Sequence, residues 1–254
     1  MTPGINNRLL KIGCAGWSLR GEHQPYFPDG ESHLNRYASV FNAVEVNSCF
    51  YRSHRPATWA RWAETTPEGF RFSYKLPKSI THQARLQNVG ELLSSFLDEV
   101  TCLGCRQGTL LVQLPPSFAF EASVVSEFFL LLQRLDEARG IRRSVACEPR
   151  HSSWFTTEAD SLLKEFAVAG VAAHPSRPHQ VFAPSGFTGH EYYRMHGAPR
   201  IYYSAYDETE LQALASKLSL SVNAGIETWC IFDNTAEGYA VNNALRLLQI
   251  LQPK

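Results

Sequence analysis

Residues 109–148 read TLLVQLPPSFAFEASVVSEFFLLLQRLDEARGIRRSVACE, and this stretch contains the pattern that decides the fold. It begins with a short strand-like run at 109–114 and continues with apolar residues at helical spacing over 123–138. A second strand-like run at 144–148 closes the stretch. A strand, a helix and a second strand in this order predict a β-α-β unit with parallel strands.

The same alternation extends along the whole chain. Eight strand-like runs cover residues 10–15, 43–47, 70–75, 109–114, 144–148, 170–174, 191–196 and 228–233. Helical apolar spacing covers residues 34–41, 56–64, 92–103, 123–138, 158–169, 208–220 and 239–251. Eight strands alternating with helices predict an α/β fold, a (β/α)8 TIM barrel that forms a single domain over residues 1–254.

The composition limits the possible partners. Lys plus Arg equals Asp plus Glu at 24 each, so no overall field attracts nucleic acid or a membrane surface. No 18-residue apolar run and no signal-peptide pattern are present, and the six cysteines stand mostly in apolar runs, which is typical of buried thiols. We therefore predict a cytoplasmic protein without a membrane partner, and the sequence does not determine its oligomeric state.

Polar residues stand in i, i+2 pairs at the ends of three predicted strands: Glu45 with Asn47, Glu148 with Arg150, and Arg194 with His196. Side chains two positions apart on a strand point to the same face. The carboxyl ends of the strands of a TIM barrel form its active-site mouth. The three pairs therefore predict a polar site at this mouth.

Twelve residues at or just after strand ends are the candidates for this site. We predict catalytic acid and base roles for Glu45, Glu148 and His196. We predict substrate-binding roles for Asn47, Tyr51, Lys75, His82, Gln113, Arg150, Trp154, Arg194 and Asn234. Guanidinium groups bind oxyanions through paired hydrogen bonds, so the cations among these residues predict a small anionic or phosphorylated ligand. The leading hypothesis is a hydrolase-type enzyme that acts on such a substrate.

Three alternatives stay open from the residues alone. The arginines could neutralise the glutamates in a buried ion-pair network. Lys75 could form a Schiff base with a carbonyl substrate, although a strand-end lysine beside acids is more often an electrostatic anchor. The chain could also be a non-catalytic binder of nucleic acid or a nucleotide, with cations on the phosphates and aromatic rings stacked on the bases.

The cofactor is not determined by the sequence. A divalent metal ion could be held by Glu45, Glu148, His174, His196 and Asp233. The arginines that alternate with these residues along the chain would repel such an ion. We therefore assign no metal ligands.

Several motifs together resemble the YecE-like family of TIM-barrel proteins, a widespread domain of unknown function. The motifs are GCAGW (13–17), VEVNSCFY (44–51), QLPP (113–116), EPRHSSW (148–154) and RMHG (194–197). The resemblance runs from Lys11 to about Leu248, and it implies a TIM barrel with its motifs at the strand ends and no established reaction. Two positions depart from the family pattern: His174 stands where an aspartate is expected, and Asp233 where an asparagine is usual.

Overall fold

A computed structural model describes residues 8–176 and 180–252 of the chain. Residues 1–7, 177–179 and 253–254, which the predicted single domain over 1–254 includes, lie outside the described residues.

Strands and α-helices alternate as the sequence pattern predicts as far as residue 170, and three further strands then follow before the next α-helix. The strands are β1 (Leu10–Cys14), β2 (Ala43–Val46), β3 (Arg71–Lys75), β4 (Gln107–Gln113), β5 (Val145–Glu148), β6 (Val168–Gly170), β7 (Ala172–His174), β8 (Ser185–Gly186), β9 (His190–Met195) and β10 (Glu227–Phe232). The α-helices are α1 (His33–Ala38), α2 (Pro56–Glu64), α3 (Gly90–Thr101), α4 (Ala122–Glu137), α5 (Thr157–Glu165), α6 (Glu208–Asn223) and α7 (Tyr239–Leu251). Short 3₁₀ or π segments lie at Gly21–Tyr26, Ser48–Phe50, Ser79–Gln83, Gly104–Arg106 and Ser152–Trp154.

Side-chain caps set the beginnings of α6 and α5. The Asp207 side chain accepts a hydrogen bond from the Glu210 backbone N–H, and the Glu210 side chain accepts one from the Asp207 N–H in return. The Thr156 hydroxyl caps α5 by accepting from the Ala159 N–H. Such caps satisfy amide groups that have no partner inside the helix.

The strands pair in two sheets. One has the order β1-β10-β9-β7 and is parallel throughout, and the other has the order β2-β3-β4-β5-β6-β8. The second sheet is mixed, because β8 pairs antiparallel with β6. The sequence did not predict β8, which lies in the long connection between β7 and β9.

The edges of the two sheets meet at two places. At the first, the Tyr37 hydroxyl accepts a hydrogen bond from the Cys14 N–H and donates one to the Ala43 carbonyl, so it joins β1 to β2. Further along, Ala15 bridges Glu45 in parallel and the Gly16 N–H donates to the Glu45 carbonyl at 2.9 Å. At the second place, only Val171 separates β6 from β7, and these strands pair with β5 and β9 respectively.

One prediction is wrong, and it concerns the segment between α5 and β7. The predicted helix over 158–169 ends at Glu165, and Val168–Gly170 form a strand. Ala167 has a left-handed φ of +54°, which an α-helix cannot contain. The apolar residues of this segment suit either structure, and pairing with β5 selects the strand.

Two apolar cores lie on the two faces of the strands. The larger core lies between strands and helices and includes Val44 and Val46 of β2. The smaller core consists mainly of small side chains around two aromatic rings: Ala43, Leu111, Ala146, Ala169, Val171, Ala173, Tyr192, Trp229 and Ile231. Tyr192 and Trp229 stack with ring centroids 5.8 Å apart. The alternation of strand residues places Glu45 on the same face as this inner core.

Among the described helices, none combines the length and the apolar character that crossing a membrane requires. All six cysteines are free thiols, and four of them are buried. The cytoplasmic location stays a prediction.

Candidate functional site

Arg194 lies at the centre of the polar residues at the carboxyl ends of the strands. It is the fifth residue of β9 and is fully buried, with 0% of its surface exposed. Its Nε and Nη2 donate to the two oxygens of Glu45 at 2.9 and 2.6 Å. Nη1 donates to Glu148 Oε2 at 2.5 Å, and Nη2 also donates to Asp233 Oδ2 at 3.0 Å. One guanidinium therefore gathers three carboxylates from β2, β5 and the residue after β10.

Glu45 is held from a second side by the aromatic residue two positions before Arg194. The Tyr192 hydroxyl donates to Glu45 Oε2 at 2.9 Å and contacts the Ser73 hydroxyl at 2.6 Å. Glu45 is completely buried. Both of its oxygens are therefore engaged by fixed donors below the opening of the site.

His196 lies between two of the carboxylates. Nδ1 is hydrogen bonded to Asp233 Oδ2 at 3.0 Å, and Nε2 lies 3.3 Å from Glu148 Oε1 at an angle outside hydrogen-bond geometry. Burial alone lowers the pKa of His196, but the Glu148 charge and the hydrogen bond to Asp233 outweigh it and raise the pKa above its usual range. The arrangement favours an imidazolium.

This raised pKa predicts a pH dependence of stability. Protonated His196 adds its full stabilisation to the free energy of unfolding below about pH 6.5, the usual imidazole pKa. This stabilisation is lost as the pH rises through the raised pKa of His196 in the folded state. The Arg194 charge lowers the pKa of Glu148 and of Asp233 below their usual values despite burial. Both carboxylates therefore stay ionised over the pH range in which His196 titrates.

The measurement is urea unfolding of wild type and His196→Gln at about pH 6 and pH 9. We expect the stability difference between the two proteins to be larger at pH 6, since titrations common to both cancel in the difference. A difference that is constant or larger at pH 9 would show that His196 is neutral in the folded protein.

Arg150 connects the buried cluster to the surface. Its Nε and Nη2 each lie 2.9 Å from Glu148 Oε1, and Nη2 also donates to the Tyr202 hydroxyl at 3.3 Å. The Tyr202 ring packs edge-on against His196 with centroids 5.7 Å apart and is itself 37% exposed. Arg150 and Tyr202 therefore cover the acid and imidazole groups beneath them.

Lys75, the last residue of β3, is the remaining cation of the cluster. Its Nζ lies 4.1 Å from the centre of the Phe50 ring, and 9% of the residue is exposed. Burial, followed by the repulsion of Arg194, lowers the pKa of Lys75 to about 8, although the three carboxylates act in the opposite direction. His82 packs edge-on against the same Phe50 ring. Burial and the nearby charges of Lys75 and Arg150 lower the pKa of His82 to about 4.

The cluster carries a small positive excess. Three carboxylates face Arg150, Arg194, Lys75 and protonated His196, which gives three negative and four positive formal charges. The buried ion-pair network that the sequence left open as an alternative is therefore present. Such a network costs desolvation energy, and ionisable groups concentrated in this way are characteristic of functional sites.

Three further predicted residues lie beside the network. Gln113 is buried and pairs in register with Glu148. Asn234 is fully buried and donates to the Ser204 carbonyl and to Asn243, while its Oδ1 has no partner among the described residues. Asn47, at the end of β2, likewise has a buried Oδ1 without a described partner. The two unpaired oxygens, Oδ1 of Asn234 and Oδ1 of Asn47, are acceptors for a hydroxyl or amino group of a ligand.

Two other predicted residues are placed differently. Tyr51 is 80% exposed and packs edge-on against Phe50, so it lies on the outside of the loop. Trp154 is buried between Phe118 and Phe120, and its indole N–H donates to the Phe118 carbonyl at 3.0 Å. The contacts of Trp154 are those of a packing residue. Substrate contact by either residue stays a prediction.

The sequence prediction missed Tyr192 and Ser73. Tyr192 and Arg194 occupy alternate positions on one strand, and so do Ser73 and Lys75, so the same i, i+2 rule used for the acids would have found both. Tyr202 is one of the aromatic residues that follow a predicted strand end, and it lies in a loop with a left-handed φ of +71°. Asp233, a strand-end acid that the sequence also offered as a metal ligand, here receives hydrogen bonds from Arg194 and His196.

The donor set does not favour a metal ion. Among residues 8–176 and 180–252, no group of three or more His, Cys, Asp or Glu is arranged to hold one. Both oxygens of Glu45 and one oxygen each of Glu148 and Asp233 already accept hydrogen bonds from Arg194, and the second Glu148 oxygen accepts one from Arg150.

The fold and the cluster define an α/β protein with a buried ionic site at the carboxyl ends of its parallel strands. Residues 11–254 match the family described as "Protein of unknown function DUF72". The chain belongs to this family, as the resemblance of its motifs implies.

Known relatives agree with this assignment. The chain is 32% identical to the UPF0759 protein YecE of Escherichia coli strain K12 over 181 residues, which cover 67% of this chain and 63% of the relative. It is 25% identical to the UPF0759 protein YunF of Bacillus subtilis strain 168 over 58% of this chain and 53% of the relative. The matches thus span less than two thirds of these relatives' own lengths.

Solved structures support the fold. A DUF72 family protein of Enterococcus faecalis V583 matches with a TM-score of 0.77 and 22% identity, over 96% of this chain and 98% of the other. A DUF72 family protein of Thermotoga maritima MSB8 matches with a TM-score of 0.76 and 23% identity, over 96% and 99%. A xylose isomerase-like TIM barrel/4-hydroxyphenylpyruvate dioxygenase fusion protein matches at 0.51 and 15% identity, over 95% and 42%.

Proposed function

We propose that the two sheets together form one closed (β/α)8 barrel and a single domain. The bridge between Ala15 and Glu45 and the continuity of β6 and β7 through Val171 support this closure, because they join both pairs of sheet edges. In such a barrel the ionic cluster lies at the carboxyl-end mouth, where the active sites of TIM-barrel enzymes are found.

At this mouth we propose an enzyme that acts on a small anionic or phosphorylated substrate, with hydrolysis as the reaction class. The observation that carries the proposal is the cluster built around Arg194, in which charged groups from separate strands are buried with a positive excess. Retaining so many buried charges is costly for stability, so a functional role is the better explanation. The family relationship by itself names no reaction.

The proposed roles follow from exposure and hydrogen bonding. Arg150 and Lys75 reach the opening and bind the anion. His196 and Glu148 transfer the proton, since they lie 3.3 Å apart and His196 favours its protonated form. The engaged oxygens of Glu45 make it a group that positions Arg194, and Arg194 orients Glu148 in turn.

A kinetic experiment tests these roles. We expect turnover of at least one member of a panel of phosphomonoesters and phosphodiesters, and we expect Glu148→Gln to lower kcat by about 100-fold or more. Arg150→Gln should mainly raise KM, because it removes a hydrogen-bonding cation for the anion. The exposed arginine Arg52, in the loop after β2, provides the control variant Arg52→Gln, which should leave both constants unchanged.

The second candidate function, non-catalytic binding of nucleic acid, predicts a different experimental result. Exposed rings surround this end of the molecule, and the Arg200 guanidinium lies over the Tyr203 ring at 3.7 Å. Oligonucleotide binding that weakens steeply with salt and leaves the nucleic acid intact would favour a non-catalytic nucleic-acid binder.

If phosphate does not shift the melting temperature of the protein and no member of the phosphoester panel is turned over, the proposed enzyme is refuted.

A further inference from the structure

Lys75 differs from the other cations of the site in its bonding. The guanidinium groups of Arg150 and Arg194 are hydrogen bonded to carboxylates. The Nζ atom of Lys75 forms no hydrogen bond or close ion pair with any residue that the structure describes, and it contacts the face of the Phe50 ring. Arg194 and Arg150 together engage both oxygens of Glu45 and of Glu148, and Arg194 also engages Oδ2 of Asp233. The amine is therefore available to a ligand.

The surroundings also make this amine easy to deprotonate. Lys75 is nearly buried, and the Arg194 charge opposes a second cation close by, so its pKa falls to about 8. A larger share of the Lys75 amines than of ordinary lysine amines then carries a free electron pair near neutral pH. Buried lysines with such pKa values serve as nucleophiles toward carbonyl groups.

The same cluster contains the proton donor and acceptor that this chemistry needs. The amine adds to a carbonyl carbon, the nitrogen gives one proton to a base, and the oxygen receives one proton, which gives a neutral carbinolamine. Protonation of its hydroxyl and loss of water then give the protonated imine, and loss of the remaining nitrogen proton to a base gives the neutral imine. Protonated His196 and the carboxylates of Glu148 and Asp233 supply and accept these protons. No oxidant or reductant is required.

We propose that Lys75 is a catalytic nucleophile that forms an imine with the aldehyde or ketone group of an anionic substrate. The anionic character of the substrate rests on the proposed function, whereas the reactivity of Lys75 does not. A protonated imine withdraws electrons from the neighbouring carbon, so Lys75 would give the site a second activity beside the proposed hydrolysis, the cleavage or formation of bonds next to the original carbonyl carbon. The substrate class is then a small oxo acid or a phosphorylated aldehyde or ketone.

Reductive trapping tests the proposal on the unaltered protein. Wild type is incubated at pH 7.5 with glyoxylate and sodium cyanoborohydride, which reduces an imine to a stable secondary amine, and peptides containing each of the six lysines are analysed by mass spectrometry. We expect carboxymethylation of Lys75 at least tenfold faster than that of Lys78, which is exposed and only three positions away.

Lys11 provides the control for burial alone. It is also buried, but it lies near the amino end of β1, whereas the ionic cluster lies at the carboxyl ends of the strands. Burial and then the Arg71 charge lower the pKa of Lys11. The acid that acts on Lys11, Glu227, lies 3.9 Å from His190, but burial lowers the pKa of His190, so this pair does not favour the protonated imidazole that His196 supplies at Lys75. Faster carboxymethylation of Lys75 than of Lys11 supports a reactive site at Lys75. Equal rates at the two lysines overturn the proposal, because burial alone would then explain the reactivity.

A second carbonyl probe separates this proposal from the proposed function. If propanal labels Lys75 as efficiently as glyoxylate, the nucleophile is confirmed and the anion site is refuted. If Lys75 is not labelled by either probe but phosphate still raises the melting temperature, the nucleophile is refuted and the anion site stands. The variant Lys75→Arg keeps a cation and cannot form the imine, so it should also retain any phosphate-induced shift.

Discussion

Replacing Arg194 by methionine is expected to lower the free energy of unfolding by about 3–5 kcal/mol, the usual cost of removing one partner from a buried ion pair. Arg194 is completely buried and donates to Glu45, Glu148 and Asp233. Methionine fills a similar volume without a charge, so the three carboxylates would stay close together without their common partner. The measurement is urea unfolding followed by circular dichroism near pH 7.

The matched control is Arg246→Met at an exposed ion pair. Arg246 donates two hydrogen bonds to the Glu208 carboxylate, but both side chains are about half exposed. Water replaces such contacts, so we expect an almost unchanged unfolding midpoint. Equal loss of stability in the two variants would show that the Arg194 network is not stabilising the fold.

The second large effect is expected for Gly13→Ala at the junction between β1 and β2. A Cβ atom on Gly13 would lie 1.9 Å from the Ala43 carbonyl oxygen and 2.8 Å from the Tyr37 hydroxyl. The oxygen belongs to the backbone of a buried strand and already accepts a hydrogen bond from Tyr37, so it cannot move freely. We expect a loss of about 3 kcal/mol in unfolding free energy, at the upper end of the usual cost of overpacking.

Gly69→Ala is the control for this substitution. No heavy atom lies within 4 Å of the position that a Cβ on Gly69 would occupy, and the residue lies just before β3. Its midpoint in urea should therefore stay within experimental error of wild type. If Gly13→Ala unfolds at the wild-type urea concentration, the two edge strands are not as close as the structure places them.

Most of the secondary structure follows from local patterns. Runs such as TLLVQL at 109–114 and the helical spacing of residues 123–138 correspond to β4 and α4. The pattern failed between α5 and β7, where Val168 and Ala169 fit a helix or a strand equally well. There, pairing with β5 and the left-handed Ala167 decided the outcome, and neither is visible in a window of neighbouring residues.

The candidate site was only partly predictable. The i, i+2 rule located Glu45, Glu148, Arg194 and His196, which the structure joins in one network. It gave no means of telling which cation binds the acids and which is left free. The sequence prediction treated Arg194 and Lys75 alike as ligand clamps, yet only Arg194 holds the carboxylates. Loop residues were least predictable, as the packed Trp154 and the covering Tyr202 show.

The sequence by itself determined the alternation of strands and helices and the polar character of the strand ends, because both depend on the period of side-chain directions along the backbone. Only the tertiary structure decided the partners of each charge and therefore the pKa shifts. Glu45 and Arg194 are 149 positions apart, yet their side chains lie 2.6 Å from each other. Hydrogen bonding and desolvation depend on such distances in space, which local sequence patterns do not contain.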